Sequence, residues 1–134
     1  MRAVYTGAPG GIDEAIDRVL CFFEAVHHLK DWLGNDRAVE VKKADGDALI
    51  NSCPKLQLCA DLANGSKHLT LRPDRTRTGD PSTRIARNDA SVLLGTGSAY
   101  RFYVVSGGKE YDVLQIAEDA VNEWSRFFSA RGLT

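Results

Sequence analysis

The stretch YRFYVVSGGKEYDVLQIAEDAVNEWSRFF, Tyr100–Phe128, changes period part-way along and so decides the fold class. Tyr100, Phe102 and Val104 alternate with Arg101, Tyr103 and Val105, the period of two expected of a half-buried strand. Gly107-Gly108 supplies the positive φ angles of a two-residue hairpin, and Lys109 to Val113 is the returning strand. From about Leu114 to Arg131 the period lengthens. Val113, Ala117, Ala120, Val121, Trp124, Phe127 and Phe128 keep helical spacing, and Gly132 closes the helix. Just upstream, Ser91 to Gly95 reads as one more strand, with Gly95-Thr-Gly-Ser98 as its turn, so a small antiparallel meander runs into an amphipathic helix.

The N-terminal half is helical. Ala15, Val19, Phe22, Val26, Leu29 and Leu33 recur every three or four residues, which predicts a helix over Ile12 to Leu33. Asp13 and Glu14 suit its dipole, and Gly34-Asn35 tolerates the left-handed conformation that ends helices. Ala38 to Lys43 is extended or a broken turn. A short helix follows from about Asp45 to Asn51, with Asp45 as its cap. Pro54 opens the next helix, which carries Leu56, Cys59, Ala60 and Ala63 on one face and ends near Lys67 or His68. From Leu69 to Ala90 the periodicity vanishes, which predicts a long loop with a short strand at Leu69–Leu71.

These elements make one α+β domain over residues 1–134. A short tail (1–11) leads into an N-terminal helical core of one long helix and two shorter ones. A basic loop (69–90), the meander and a closing helix that packs back on the first complete it. The 134 residues carry 17 Lys+Arg against 18 Asp+Glu, with 43% apolar and 26% charged residues, the balance of an ordinary folded domain. No apolar run approaches the ~20 residues that span a bilayer. The N-terminus lacks the apolar core of a signal peptide, and three cysteines form no disulfide framework, so a reducing cytoplasm is expected. Cys21, Cys53 and Cys59 read as small core residues. Cys53, Cys59 and His68 lack zinc-site spacing, so no metal and no cofactor is expected.

Two signals point to function. Asp61, Asn64 and His68 share one helical face, with Lys67 beside them: a carboxylate, an amide and an imidazole suited to holding a hydroxyl or phosphate. His28, Asp31 and Asn35 form a similar row on the first helix, and the two rows converge if the helices pack antiparallel. Solvated helix faces and interhelical hydrogen bonds carry the same residues. His27 reads as a satisfied histidine at the boundary of the apolar stripe. The second signal is the segment from Lys67 to Arg87. Lys67, Arg72, Arg75, Arg77, Arg84 and Arg87 stand against only Asp74 and Asp80, the electrostatic character of a phosphate-holding loop and equally of a solubilising connection. Tyr100 and Tyr103 on the sheet are candidates for base stacking, or for packing.

His28-Leu-Lys-Asp-Trp32 and Asp61-Leu-Ala-Asn-Gly-Ser-Lys-His68 resemble stretches of small bacterial and phage proteins that look like a divergent branch of the HEPN helical domains. The resemblance covers about Cys21 to Leu69. It implies a four-helix bundle, often dimeric. It also implies either a metal-independent ribonuclease of toxin–antitoxin or anti-phage systems, or a catalytically dead RNA-binding or scaffold relative. His68 matches the motif histidine and Asn64 its polar position. The motif arginine is replaced, with alanine at positions 60 and 63, leaving Lys67 as the neighbouring cation and Arg72 as a candidate from the loop. The expected function is thus RNA-directed, with His68 as general base. Lys67, Asn64 and Asp61 stand beside it, and His28, Asp31, Arg72, Arg75 and Arg77 bind. The alternative is a non-enzymatic module that dimerises and binds a protein partner.

Overall fold

A computed structural model describes residues 11–67, 72–93 and 97–133, with backbone alone at 66, 67, 73, 87, 88, 90–93, 97 and 98. Three helices come first: α1 (Ile12–Asn35), α2 (Lys43–Ser52) and α3 (Pro54–Lys67). A single 3-10 turn, Pro73–Arg75, leads to β1 (Arg84–Leu93), β2 (Gly97–Ser106), β3 (Lys109–Asp112) and α4 (Val113–Ala130). The strands form one antiparallel sheet in the order β1-β2-β3. The expected α+β architecture, with its helical core, meander and closing helix, is present.

Two helix starts have a local side-chain cause. The Asp112 side chain accepts the Leu114 N–H at 2.8 Å and caps α4. Asp45 does not cap α2 from outside, as the sequence suggested. The helix begins two residues earlier, and Asp45, at its third position, accepts the Lys42 N–H at 3.0 Å. α1 ends at Asn35 without a left-handed residue. Gly34 has another role: a Cβ there would lie 3.0 Å from the Lys43 backbone nitrogen, tighter than an ordinary contact, so glycine favours this close start of α2. Gly107 and Gly108 do take φ of +57° and +74°, as the hairpin turn requires.

The core lies between the helices and one face of the sheet. Val19, Phe23 and Val26 of α1 meet Ile50 of α2, with Leu56, Cys59 and Leu62 of α3, Phe102 and Val104 of β2, and Ile116, Ala120 and Trp124 of α4. Phe102, Val104 and Ser106 are buried while Arg101 is exposed, which is the alternation read from sequence. Tyr100 packs against the core, stacked on Phe102 at 6.2 Å, and so is a packing residue rather than a free platform.

Four expectations change. α4 packs mainly on α3 and the sheet and only lightly on α1. On α4, Ile116 is fully buried, and Val121 faces outward. Cys21 is exposed on α1, so only Cys59 is a true core cysteine. The supposed loop is also much shorter, because β1 already begins at Arg84, in register with Val105. Leu69–Leu71 and the 94–96 turn lie outside the described residues.

Candidate functional site

Asp61 sits in an otherwise apolar run of α3, flanked by buried Leu58, Cys59, Ala60, Leu62 and Ala63, and is itself 0% exposed. A buried carboxylate needs donors. They come from the segment after the 3-10 turn: the Arg77 N–H at 2.7 Å, the Thr78 N–H at 3.0 Å and the Thr78 hydroxyl at 2.6 Å. The other end of that segment is tied to the hairpin. Asp80 accepts the Gly107 N–H at 2.8 Å, and the Thr83 and Ser106 hydroxyls meet at 2.6 Å. Hydrogen bonds from the Ser82 hydroxyl, then from the Gly107 and Ser82 backbone, hold the Asp80 carboxyl below its ordinary range. Residues 76–83 therefore form a strap stitched to α3 on one side and to β2–β3 on the other.

Arg77 carries the link onward. Its guanidinium donates to Asn51 Oδ1 at 2.6 Å and to Asp47 Oδ1 at 3.3 Å, both on α2. The same Asp47 oxygen lies 3.4 Å from Lys30 Nζ. Lys30 is only 6% exposed, on the buried side of α1. It also pairs with Asp31 at 3.3 Å, where Lys43 (3.2 Å) and His28 Nδ1 (3.2 Å) join. Burial alone would raise the Asp31 carboxyl, but the hydrogen bonds from His28, Lys43 and Lys30 outweigh it and bring the pKa down to about 2.

Asp61 from one of the polar rows picked from sequence, and His28 and Asp31 from the other, are thus parts of one connected network. They do not face each other directly; Arg77, Asp47 and Lys30 join them. α2 comes close enough for this because of Gly46, whose Cβ would fall 2.5 Å from Lys30 Cβ.

His27 lies beside the network, 7% exposed, and its Nδ1 has no hydrogen-bond partner among the described residues. It is not the satisfied boundary histidine expected. Burial, then the charges of Lys30, His28 and Arg77, push its pKa down to about 4, against a small opposing pull from Asp31.

The remaining sequence-selected residues scatter. Asn64 is half-buried one turn beyond Asp61. Arg72 and Arg75 are exposed, and Arg72 pairs with Asp74 at 3.3 Å. His68 and the Lys67 side chain lie outside the described residues. No cluster of three or more His, Cys, Asp or Glu side chains able to hold a metal occurs among the described residues. No helix among them is long and apolar enough to cross a membrane. An open groove of about 460 Å³ where β3 meets α4, lined by Lys55, Tyr111, Gln115 and Glu118 among others, includes none of the selected residues.

With every carboxylate and guanidinium of the network assigned to a partner within the fold, what it does chemically is clear: it fixes the strap and α2 against α1 and α3. No family model, curated protein or solved structure matches the chain. The functional reading rests on this geometry and on what the surface leaves uncovered. Sequence reasoning missed Lys30, Asp47, Thr78 and Asp80. It also passed over Trp32, the most exposed of the large apolar side chains among the described residues at 59%, near the end of α1. A charge inside an apolar stripe (Val26, Lys30, Leu33) was the signal for the first of these, and a tryptophan outside the stripe was the signal for the last.

Proposed function

We propose that the protein is a non-enzymatic interaction module whose binding face is the outward side of α1. The observation that carries this reading is the exposed Trp32. It stands at the end of a row in which Arg18, Cys21 and Ala25 are also exposed, with Phe22 and Leu29 half-buried along its flank. An exposed tryptophan among small and apolar neighbours is the usual composition of an interface centre, and single surface apolar residues elsewhere need no such account. The employment of Asp61, Arg77 and Asp31 in holding the fold also favours binding over catalysis. It agrees with the missing motif arginine of the HEPN-like resemblance, whose dead members are scaffolds. The test is comparison of proteins retained by the tagged wild type and by Trp32→Glu, both shown folded by circular dichroism. A Trp32-dependent complex, with this chain or another, is expected; identical behaviour of the two forms would refute the reading.

A second reading, RNA binding, is favoured by the outward face of the sheet. Tyr103 stands there in register with Arg87, beside exposed Arg84 and Arg101, and Arg72 and Arg75 are exposed on the preceding segment. Asp89, Glu110 and Asp112 on the same face weaken it. Salt-dependent anisotropy of a labelled single-stranded RNA, lost in Tyr103→Ala and Arg84→Glu, is the expected result if this reading holds. EDTA-resistant cleavage abolished by His68→Ala would extend it to a ribonuclease.

A further inference from the structure

We infer that the strap carries a self-cleaving peptide bond, Asp80–Pro81, at which the Asp80 carboxylate attacks its own backbone carbonyl while the Thr83 hydroxyl and N–H hold the carbonyl oxygen. The inference does not depend on what α1 binds.

The sequence supplies the reacting pair. A side-chain oxygen of aspartate, its own carbonyl carbon and the three atoms between them close a five-membered ring, so the nucleophile is built in. Two reactions compete at such a residue, and proline closes one of them. The following backbone nitrogen ordinarily attacks the side-chain carboxyl to form a succinimide, but Pro81 has no N–H to lose. Attack by the carboxylate on the carbonyl is what remains.

The fold then equips this one bond. The Asp80 carbonyl oxygen accepts the Thr83 hydroxyl at 2.9 Å and the Thr83 N–H at 3.2 Å. A carbonyl can only accept, so the single Thr83 hydroxyl proton points there, and the Ser106 hydroxyl, 2.6 Å away, donates to Thr83. Both hydroxyls are buried, at 6% and 5% exposure. An ordinary turn needs the Thr83 N–H alone; the buried hydroxyl pair singles this one out. The chain of donors, Ser106 to Thr83 to Asp80, ends on the oxygen where negative charge would develop. The Ser82 N–H (2.9 Å) and hydroxyl (2.6 Å) draw Asp80 Oδ1 to the side of the chain where the bond lies, and the Gly107 N–H holds Oδ2 at 2.8 Å. These donors keep the carboxyl ionised below its ordinary range. Mild acid can then protonate the departing nitrogen while the nucleophile stays charged.

The step needs only water. A carboxylate oxygen of Asp80 bonds to the carbonyl carbon, and the C=O electron pair moves onto the oxygen held by Thr83. Its return expels the Pro81 nitrogen, which takes a proton from the solvent. Asp80 is left as a cyclic anhydride, and water opens it to two carboxyl groups. Nothing is oxidised or reduced.

Residues 1–80 hold α1–α3, residues 81–134 hold the sheet and α4, and the two share one core. The halves therefore stay together after the cut and are separated by denaturation before mass spectrometry. The purified full chain, held folded at about pH 5, should yield fragments 1–80 and 81–134 with masses summing to the chain plus one water. It should do so at least about tenfold faster than the same chain unfolded in guanidinium at that pH. Asp80→Asn should stay whole. Thr83→Val should cut about tenfold more slowly and Thr83→Ser at nearly the native rate, each shown folded by circular dichroism. Equal rates in the folded and unfolded chain would overturn the inference, as would no fragment at this bond or a folded Thr83→Val that cuts as fast as the native chain. Should Thr83→Val fail to fold, the comparison of folded with unfolded native chain decides alone.

Discussion

Asp61→Ala removes one buried carboxylate and leaves three donors facing a gap: the Arg77 and Thr78 N–H groups and the Thr78 hydroxyl. Hydrogen bonds to a charged acceptor contribute about 1.5–3 kcal/mol each, so three taken separately would sum well beyond what one site gives. They share a single acceptor, however, and the donors are only part-buried, so a loosened strap can return them to water. An overall loss of about 3 kcal/mol is expected, or roughly 10 °C in melting temperature for a domain of this size. Asp61→Asn keeps the shape and still accepts the Arg77 N–H. Its own NH2 then confronts the Thr78 N–H, though the Thr78 hydroxyl can turn round and accept, so the loss should be about half as large, near 1.5 kcal/mol. Urea unfolding followed by far-ultraviolet circular dichroism reads both. Trypsin supplies a second readout, because Arg72, Arg75 and Arg77 flank or lie in the strap and should become faster cleavage sites in Asp61→Ala. A loss under about 1 kcal/mol with the strap still protected would refute the assignment of Asp61 as its anchor.

Gly46→Ala should destabilise by about 2 kcal/mol by chemical denaturation, although alanine gains about 1 kcal/mol of helix propensity, because its Cβ would sit 2.5 Å from Lys30 Cβ and force α2 off α1. The His27 pKa of about 4 lies below the unfolded value of 6.5, so the unfolded chain takes up the proton first. Stability should be complete above pH 6.5 and fall towards pH 4 by up to about 3 kcal/mol, a slope that His27→Leu should flatten. Asp31 acts in a separate window: its contribution holds above the ordinary carboxyl value of 3.8 and is lost as pH falls through about 2. Arg77→Ala and Asp47→Ala should cost about 1–2 kcal/mol each, with the double variant costing less than their sum in a thermal-melt cycle, since the two share one contact at 3.3 Å.

The elements legible in sequence were those whose environment is simple. β2 is flanked on both edges and covered on one face, so its residues alternate cleanly and the hairpin follows from Gly107-Gly108. α1 and α4 each bury a stripe, and their periods show it. The start of β1 was illegible for the opposite reason. It is an edge strand with a register irregularity between Ile85 and Arg87, and Arg84–Ala90 carries little apolar alternation to betray it. Gly34 reads in sequence as a helix stop, whereas its role is close approach to Lys43, a tertiary fact that no local pattern contains.

The polar residues teach the same lesson more sharply. Three- and four-residue spacing groups Asp61 with Asn64 and His68 on one helical face in the sequence. The residues adjacent to Asp61 in sequence were the better guide: a single acid among Leu58, Cys59, Ala60, Leu62 and Ala63, all buried, is an acceptor awaiting internal donors. Lys30 within the Val26–Leu33 stripe is the matching cation, and Asp47 and Arg77 complete its surroundings. Charges that interrupt an apolar stripe are thus the ones the fold consumes. The residue that breaks the pattern in the other direction is Trp32, a large apolar group set where the helix faces water. At 59% exposure, more than half of its surface is left in water, which is the kind of surface a partner covers. That asymmetry moves the centre of interest from Asp61 and its neighbours on α3 to the outward face of α1.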